Sequence, residues 1–208
     1  MKRLACVFRS AALVLMALVS LAALTGCSSE SSQPAPKPQP PDLLAGRAAF
    51  QQLYVAARGW ASDVRPYQLQ SQCIGDNKGK DGKAALWRAA FASATRGAKP
   101  YTWSGVDSPD GSSPRGISPG TQDSFAPSGA FDMAFLKIDS DKALEVAQKH
   151  GGDKLLADAP DTCVSYLLDW NPGGNNLVWH VIYGNSRNDA KLVVDLDAST
   201  GEFIRKEK

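Results

Sequence analysis

Residues 177–208 read LVWHVIYGNSRNDAKLVVDLDASTGEFIRKEK. Apolar runs rich in β-branched and aromatic residues at 177–184 and 191–196, with a shorter one at 203–206, are separated by turn-forming clusters and predict antiparallel strands. In the first run Trp179, Val181 and Tyr183 alternate onto one face, which puts His180 on the other. Before the last run, Ala198-Ser199-Thr200-Gly201 predicts a tight reversal. Asp197 and Thr200 can hydrogen-bond the turn backbone, and Gly201 can adopt positive φ.

Working upstream, 163–170 predicts one more strand, and 141–150 predicts a helix. Asp139 or Ser140 is its cap, Gly151-Gly152 its stop, and His150 a cation suited to the C-terminal end of the helix dipole. The first half of the chain repeats this order. Leu43, Leu44, Ala48, Phe50, Leu53, Tyr54 and Ala57 recur at helical spacing over 43–58, with Asp42 as the expected N-cap and Gly59 as the expected stop. Strands are expected at 67–73, 85–93 and 99–105. Several landmarks keep a constant offset of 92 residues: Gly59 with Gly151, Trp87 with Trp179, Phe91 with Tyr183, Ala98 with Ala190 and Lys99 with Lys191. A fixed period marks an internal duplication. The expected fold is therefore α+β: two tandem modules at 42–105 and 139–208, each an α-helix packed on a three- to four-stranded antiparallel β-sheet. The Ser/Pro/Gly-rich stretch 106–138 between them is expected to be a linker.

The helix DKALEVAQKHGG, the strand carrying Trp179, His180, Val181 and Tyr183, and the ending VDLDASTGEF resemble the PepSY-type module. The resemblance covers about 70 residues of the second half; the first half lacks the Thr-Gly-Glu ending and joins through the repeat. It implies a small helix-on-sheet module of extracytoplasmic proteins and protease propeptides, associated with protein binding or the restraint of peptidases. It implies no functional residue.

The N-terminus supplies an address. Lys2, Arg3 and Arg9 precede a 14-residue apolar stretch, 11–24, too short for a stable membrane span, and Leu24-Thr25-Gly26-Cys27 matches a bacterial lipobox. Residues 1–26 are read as a lipoprotein signal peptide and Cys27 as the lipidated residue. Acyl chains on Cys27 would anchor the protein in a membrane, and 27–41, Ser/Pro-rich, would act as a tether. Ser28 after the lipidated cysteine resembles the residue that permits export to the outer membrane, facing the periplasm, in Gram-negative hosts. Removing the leader takes three basic residues and no acidic one, leaving 20 basic against 21 acidic. That balance gives no footprint for nucleic acid. Of four cysteines only Cys73 and Cys163 would remain free to pair, outside the cytoplasm, where disulfides persist. Spacing alone leaves open a bridge between them or two unpaired thiols.

Catalytic and cofactor constellations are not found. His150 and His180 are the two histidines, and neither stands in a nucleophile–base arrangement. No His/Cys cluster has metal-ligand spacing, and no glycine-rich loop has the pattern that cradles phosphate. Tyr101, Trp103 and Trp170, near strand ends, are the residues that would form a partner-binding patch if exposed together. The expectation is a non-enzymatic, lipid-anchored envelope protein without a cofactor, which binds or scaffolds another envelope protein or peptide. A small-ligand carrier, and a hydrolase built on converging carboxylates, stand as alternatives.

Overall fold

The computed structural model describes residues 39–107, 114–124 and 129–208; the expected signal peptide 1–26, Cys27 and most of the expected tether 27–41 lie outside the described residues. In chain order the first half comprises β1 (Leu44–Ala45), α1 (Gly46–Trp60), β2 (Arg65–Gln72), β3 (Lys83–Ala84), β4 (Leu86–Ser93), β5 (Gly97–Ser104) and β6 (Gly116–Pro119). The second half opens with a 3-10 turn at Met133–Phe135. It continues through α2 (Ser140–Ala147), a π turn (Gln148–Gly152), α3 (Asp153–Asp158), β7 (Val164–Asn171), β8 (Asn176–Tyr183), β9 (Leu192–Asp197) and β10 (Phe203–Glu207).

The class is α+β, as expected, but eight strands drawn from both halves form one sheet, with β1 and β3 pairing separately. Its order is β10-β9-β8-β7-β2-β4-β5-β6, and every neighbouring pair is antiparallel. β2 pairs with β7 through Gln68–Asp169, Leu69–Leu168 and Gln70–Leu167, so the two meanders lie in mirror order about this seam. Joining them removes two open strand edges at once. Beyond Gln70 the ladder ends, and the Ser71 hydroxyl takes over, accepting the buried Tyr166 N–H at 2.9 Å.

The core lies on the helix-bearing face. Trp87 and Trp179 are both fully buried. Each indole N–H donates over 2.9 Å to a carbonyl two residues ahead of a helix, Leu44 for α1 and Ile138 for α2. Tyr166 sits between them, with ring centroids 6.1 Å from Trp87 and 6.4 Å from Trp179, and makes the two aromatic clusters one core.

Four local expectations need correction. First, α1 begins at Gly46 and its N-cap, Ala45, has no side-chain cap bond. The cap comes instead from the second half. Asp139 accepts the N–H of Ser140 at 2.7 Å and that of Arg47 at 2.9 Å, while the Ser140 hydroxyl accepts the Gly46 N–H at 2.7 Å. The two helix N-termini thus share one set of acceptors. A Cβ on Gly46 would lie 2.8 Å from the Trp179 ring, so this close approach requires glycine. Asp42, the expected cap, pairs with Arg115.

Second, Gly59 does not stop α1, which runs to Trp60 and ends at Ala61. Third, Gly151-Gly152 breaks the second helix without ending it: Gly151 has φ of 113°, and α3 follows at once. Fourth, part of the expected linker 106–138 is structured. Gly116–Pro119 pairs in register with Tyr101–Ser104 and covers the outer edge of β5, and the Trp60 indole donates to Gln122 at 3.0 Å. The final reversal follows the sequence reading. Asp197 accepts the N–H groups of Ser199 and Thr200, Thr200 accepts that of Glu202, and Gly201 has φ of 79°.

Cys73, just past β2, and Cys163, just before β7, are disulfide-bonded, with Cα atoms 6.2 Å apart. The bond closes the seam at one end.

Candidate functional site

Strand alternation gives this sheet a second face, away from the helices. One of its rows crosses all eight strands in register: Arg205, Asp195, His180 and Leu167 in the second half continue into Gln70, Arg88, Thr102 and Ser118 in the first. Seven of the eight, all but Leu167, are polar, as expected of a sheet face not packed on helices.

The second-half part of the row is a bonded network. His180 Nδ1 lies 2.6 Å from Asp195 Oδ1, and Nε2 lies 3.1 Å from Asp169 Oδ1. Arg205 Nε donates to Asp195 Oδ2 at 3.0 Å, and Glu207 bonds both Arg205, at 2.7 Å, and Arg187, at 2.8 Å. His180 is 5% exposed and Asp195 1%. Burial alone would lower the His180 pKa, but the hydrogen bonds and charges of Asp169 and Asp195 outweigh it and raise the pKa above the ordinary 6.5. Burial likewise opposes ionisation of Asp195, yet His180, Arg187 and Arg205 hold its carboxyl below the ordinary 3.8. With a carboxylate at each ring nitrogen, the favoured form is the imidazolium, donating from both. A ring so engaged has no lone pair facing a substrate, so it is not placed as a general base.

The first-half part of the face is concave. A groove of about 470 Å³ is lined by Tyr67, Gln68, Gln70, Arg88, Pro100, Thr121 and Asp123, with Ala90 and Ala98 between them. A bulge between Pro66 and Gln68 lets the consecutive residues Tyr67 and Gln68 both line it. The side chains of Tyr67, Gln68, Gln70 and Arg88 make no hydrogen bond or ion pair with any described residue. Burial raises the Tyr67 pKa, with Arg88 opposing, so the phenol remains a neutral donor. The groove therefore presents unused donors and acceptors beside the Arg88 guanidinium, with the Asp123 carboxylate also on its lining.

Tyr101 and Trp103 do not contribute to an exposed patch. They lie directly opposite Ala89 and Trp87 across the β4–β5 ladder, so they share the core face, and they are 6% and 7% exposed. Trp170 is partly buried in the same core, edge-on to Phe135 with centroids 5.3 Å apart. The structure does not bring the three together at the surface. His180 was placed on the open face from sequence, but the groove residues were not singled out, although one signal was present: Arg88 stands between the core positions Trp87 and Ala89, so alternation alone directs it outward. Among the described residues no cluster of His, Cys, Asp and Glu is placed to hold a metal ion, and no helix is long and apolar enough to cross a membrane.

No family model matches the chain, and no curated protein matches it. Its fold is similar to that of CD1622, a candidate lipoprotein of Clostridium difficile 630 known from its crystal structure. The TM-score is 0.50 at 11% identity, over 76% of this chain and 91% of that one. At that identity the likeness is one of fold.

Proposed function

We propose that this protein is a lipid-anchored envelope protein that binds another envelope protein or peptide on the open face of its sheet, without catalysing a reaction on it. The observation that carries this reading is the groove over β2, β4 and β5, where Tyr67, Gln68, Gln70 and Arg88 offer unsatisfied hydrogen-bonding groups around a small apolar floor. An extended peptide suits such a surface: backbone and side-chain groups meet the glutamines, and a carboxylate meets Arg88.

The anchor rests on the lipobox and Cys27, and the disulfide fits an oxidising compartment. A neighbour in fold that is itself a candidate lipoprotein agrees with the anchor. Ser28 favours the periplasmic side of an outer membrane in a Gram-negative host. Two PepSY-like modules, 42–105 and 139–208, account for the mirror order of the sheet and for the matched indole bonds of Trp87 and Trp179. The engagement of both His180 nitrogens supports a non-enzymatic role.

The test is site-specific photo-crosslinking of the full chain in its host. A crosslinker at Gln68 is expected to give a discrete adduct that disappears in Arg88→Ala and Tyr67→Ala backgrounds, while one at Val55, exposed on α1, gives none. Equal adducts from both positions, or none from Gln68, would overturn the assignment of the face. Azido-palmitate labelling, expected in the full chain and absent from Cys27→Ala, tests the anchor separately.

A further inference from the structure

The break in the second helix builds a second concavity that the proposed function does not use. After α2 the chain passes through the π turn, with His150 and Gly151 in non-helical conformations, and α3 departs in a new direction. This leaves a cleft of about 440 Å³ between α3 and the strands β9 and β10. Its floor is apolar, from Leu155 and Leu192, and its rim carries His150, Lys154, Lys191 and Lys206. The His150 ring is stacked on Phe203, with centroids 3.8 Å apart and an interplanar angle of 7°, which fixes one wall of the cleft against β10.

The charge distribution is what sets this cleft apart. The side chains of Lys154, Lys191 and Lys206 are exposed, and none makes an ion pair or hydrogen bond with a described residue. Asp158 is the one carboxylate among the lining residues. Elsewhere on this half of the protein Lys142 pairs with Glu145, and Arg187 and Arg205 pair with Glu207, while Lys137 and Lys149 stand singly and not around a common cleft. A mature chain with 20 basic and 21 acidic residues therefore concentrates an excess of two positive charges around one apolar-floored cleft.

We propose that this cleft binds a phosphate monoester carried on an apolar chain. A phosphate monoester brings about two negative charges at neutral pH, which matches the excess on the rim. Lysine ammonium groups bind phosphate as mobile point charges, without requiring the fixed fork geometry of arginine. The apolar portion lies along Leu155 and Leu192, and the volume falls within the range of small-molecule sites. Such a group reaches the cleft either as a soluble alkyl phosphate or as the monoester headgroup of a membrane lipid.

The experiment is calorimetric titration of hexyl phosphate into the full lipidated chain held in phosphatidylcholine nanodiscs. Saturable binding is expected, weakening with added salt, and weaker by about tenfold in the double variant Lys154→Gln/Lys191→Gln. Lys99→Gln/Lys142→Gln, outside the cleft, is expected to bind as the parent does. Hexanol and inorganic phosphate, each lacking one half of the recognised chemistry, are expected to bind more weakly than hexyl phosphate. Repeating the titration in nanodiscs containing phosphatidic acid separates the sources. Competition supports the headgroup, and undiminished hexyl phosphate binding supports a soluble monoester. Absence of binding, or equal loss in both lysine double variants, would overturn the proposal, with circular dichroism of each variant confirming the fold.

Discussion

His180 shows how a residue at the centre of an outward face becomes one of the most buried polar groups of the protein. Asp169 comes from β7, Asp195 from β9 and Arg205 from β10, so the imidazole is enclosed by side chains of neighbouring strands and not by a covering layer. Replacing His180 with Phe would leave Asp195 short of a partner at 1% exposure. A loss of about 3 kcal/mol in urea unfolding at pH 5.5 is expected, since breaking one side of a buried pair strands the other. The pH dependence has a definite sign. His180 has a raised pKa, so its contribution is complete below 6.5 and is lost as pH rises through the folded value. Asp195 has a lowered pKa, so its contribution is complete above 3.8 and is lost as pH falls through the folded value. The network is therefore expected to stabilise most between about pH 3.8 and 6.5. In His180→Phe the decline between pH 6 and 8 should be smaller than in the parent, which unfolding curves across that interval will measure. The facing of His180 was legible from alternation with Trp179 and Val181; its partners were not, because lateral neighbours depend on register.

At the scale of elements, the two helices are linked where neither sequence cap was expected to act on the other. Asp139 serves the N-termini of both α1 and α2, so Asp139→Ala should cost about 2 kcal/mol, roughly twice the loss of a single cap. The matching measurement is a thermal melt beside Asp42→Ala, whose side chain is 68% exposed and whose loss should be small. The seam between β2 and β7 offers a second test. Ser71→Ala removes the acceptor for the buried Tyr166 N–H and should destabilise by about 2 kcal/mol. Hydrogen exchange at that amide should accelerate, while exchange in β9, two strands away, should follow only the change in global stability. Strand positions were legible to within a residue or two because apolar alternation is local. β6 was not: Gly116–Pro119 has little pattern of its own and becomes a strand only because β5 offers it an edge.

For the whole molecule, the seam and the disulfide act on the same problem, holding together halves whose strands are distant in sequence. The bond joins positions 90 residues apart. In the loop-entropy account a closure of that length stabilises by about 4 kcal/mol. The double variant Cys73→Ser/Cys163→Ser is therefore expected to lower the unfolding midpoint sharply, and reductant should affect the parent but not this variant. Helix and strand periods and turn residues were written into local sequence, because each reflects the geometry of a few consecutive residues. So was the tetrad Leu24-Thr25-Gly26-Cys27 on which the proposed anchor rests, as a stretch of adjacent residues. The single sheet, the shared helix cap, the partners of His180, and the concave face around Arg88 were decided only in three dimensions. Each depends on which strands pair and in what register: the sheet seam and the shared cap join segments 92 or more residues apart, while the His180 partners come from neighbouring strands 11 and 15 residues away.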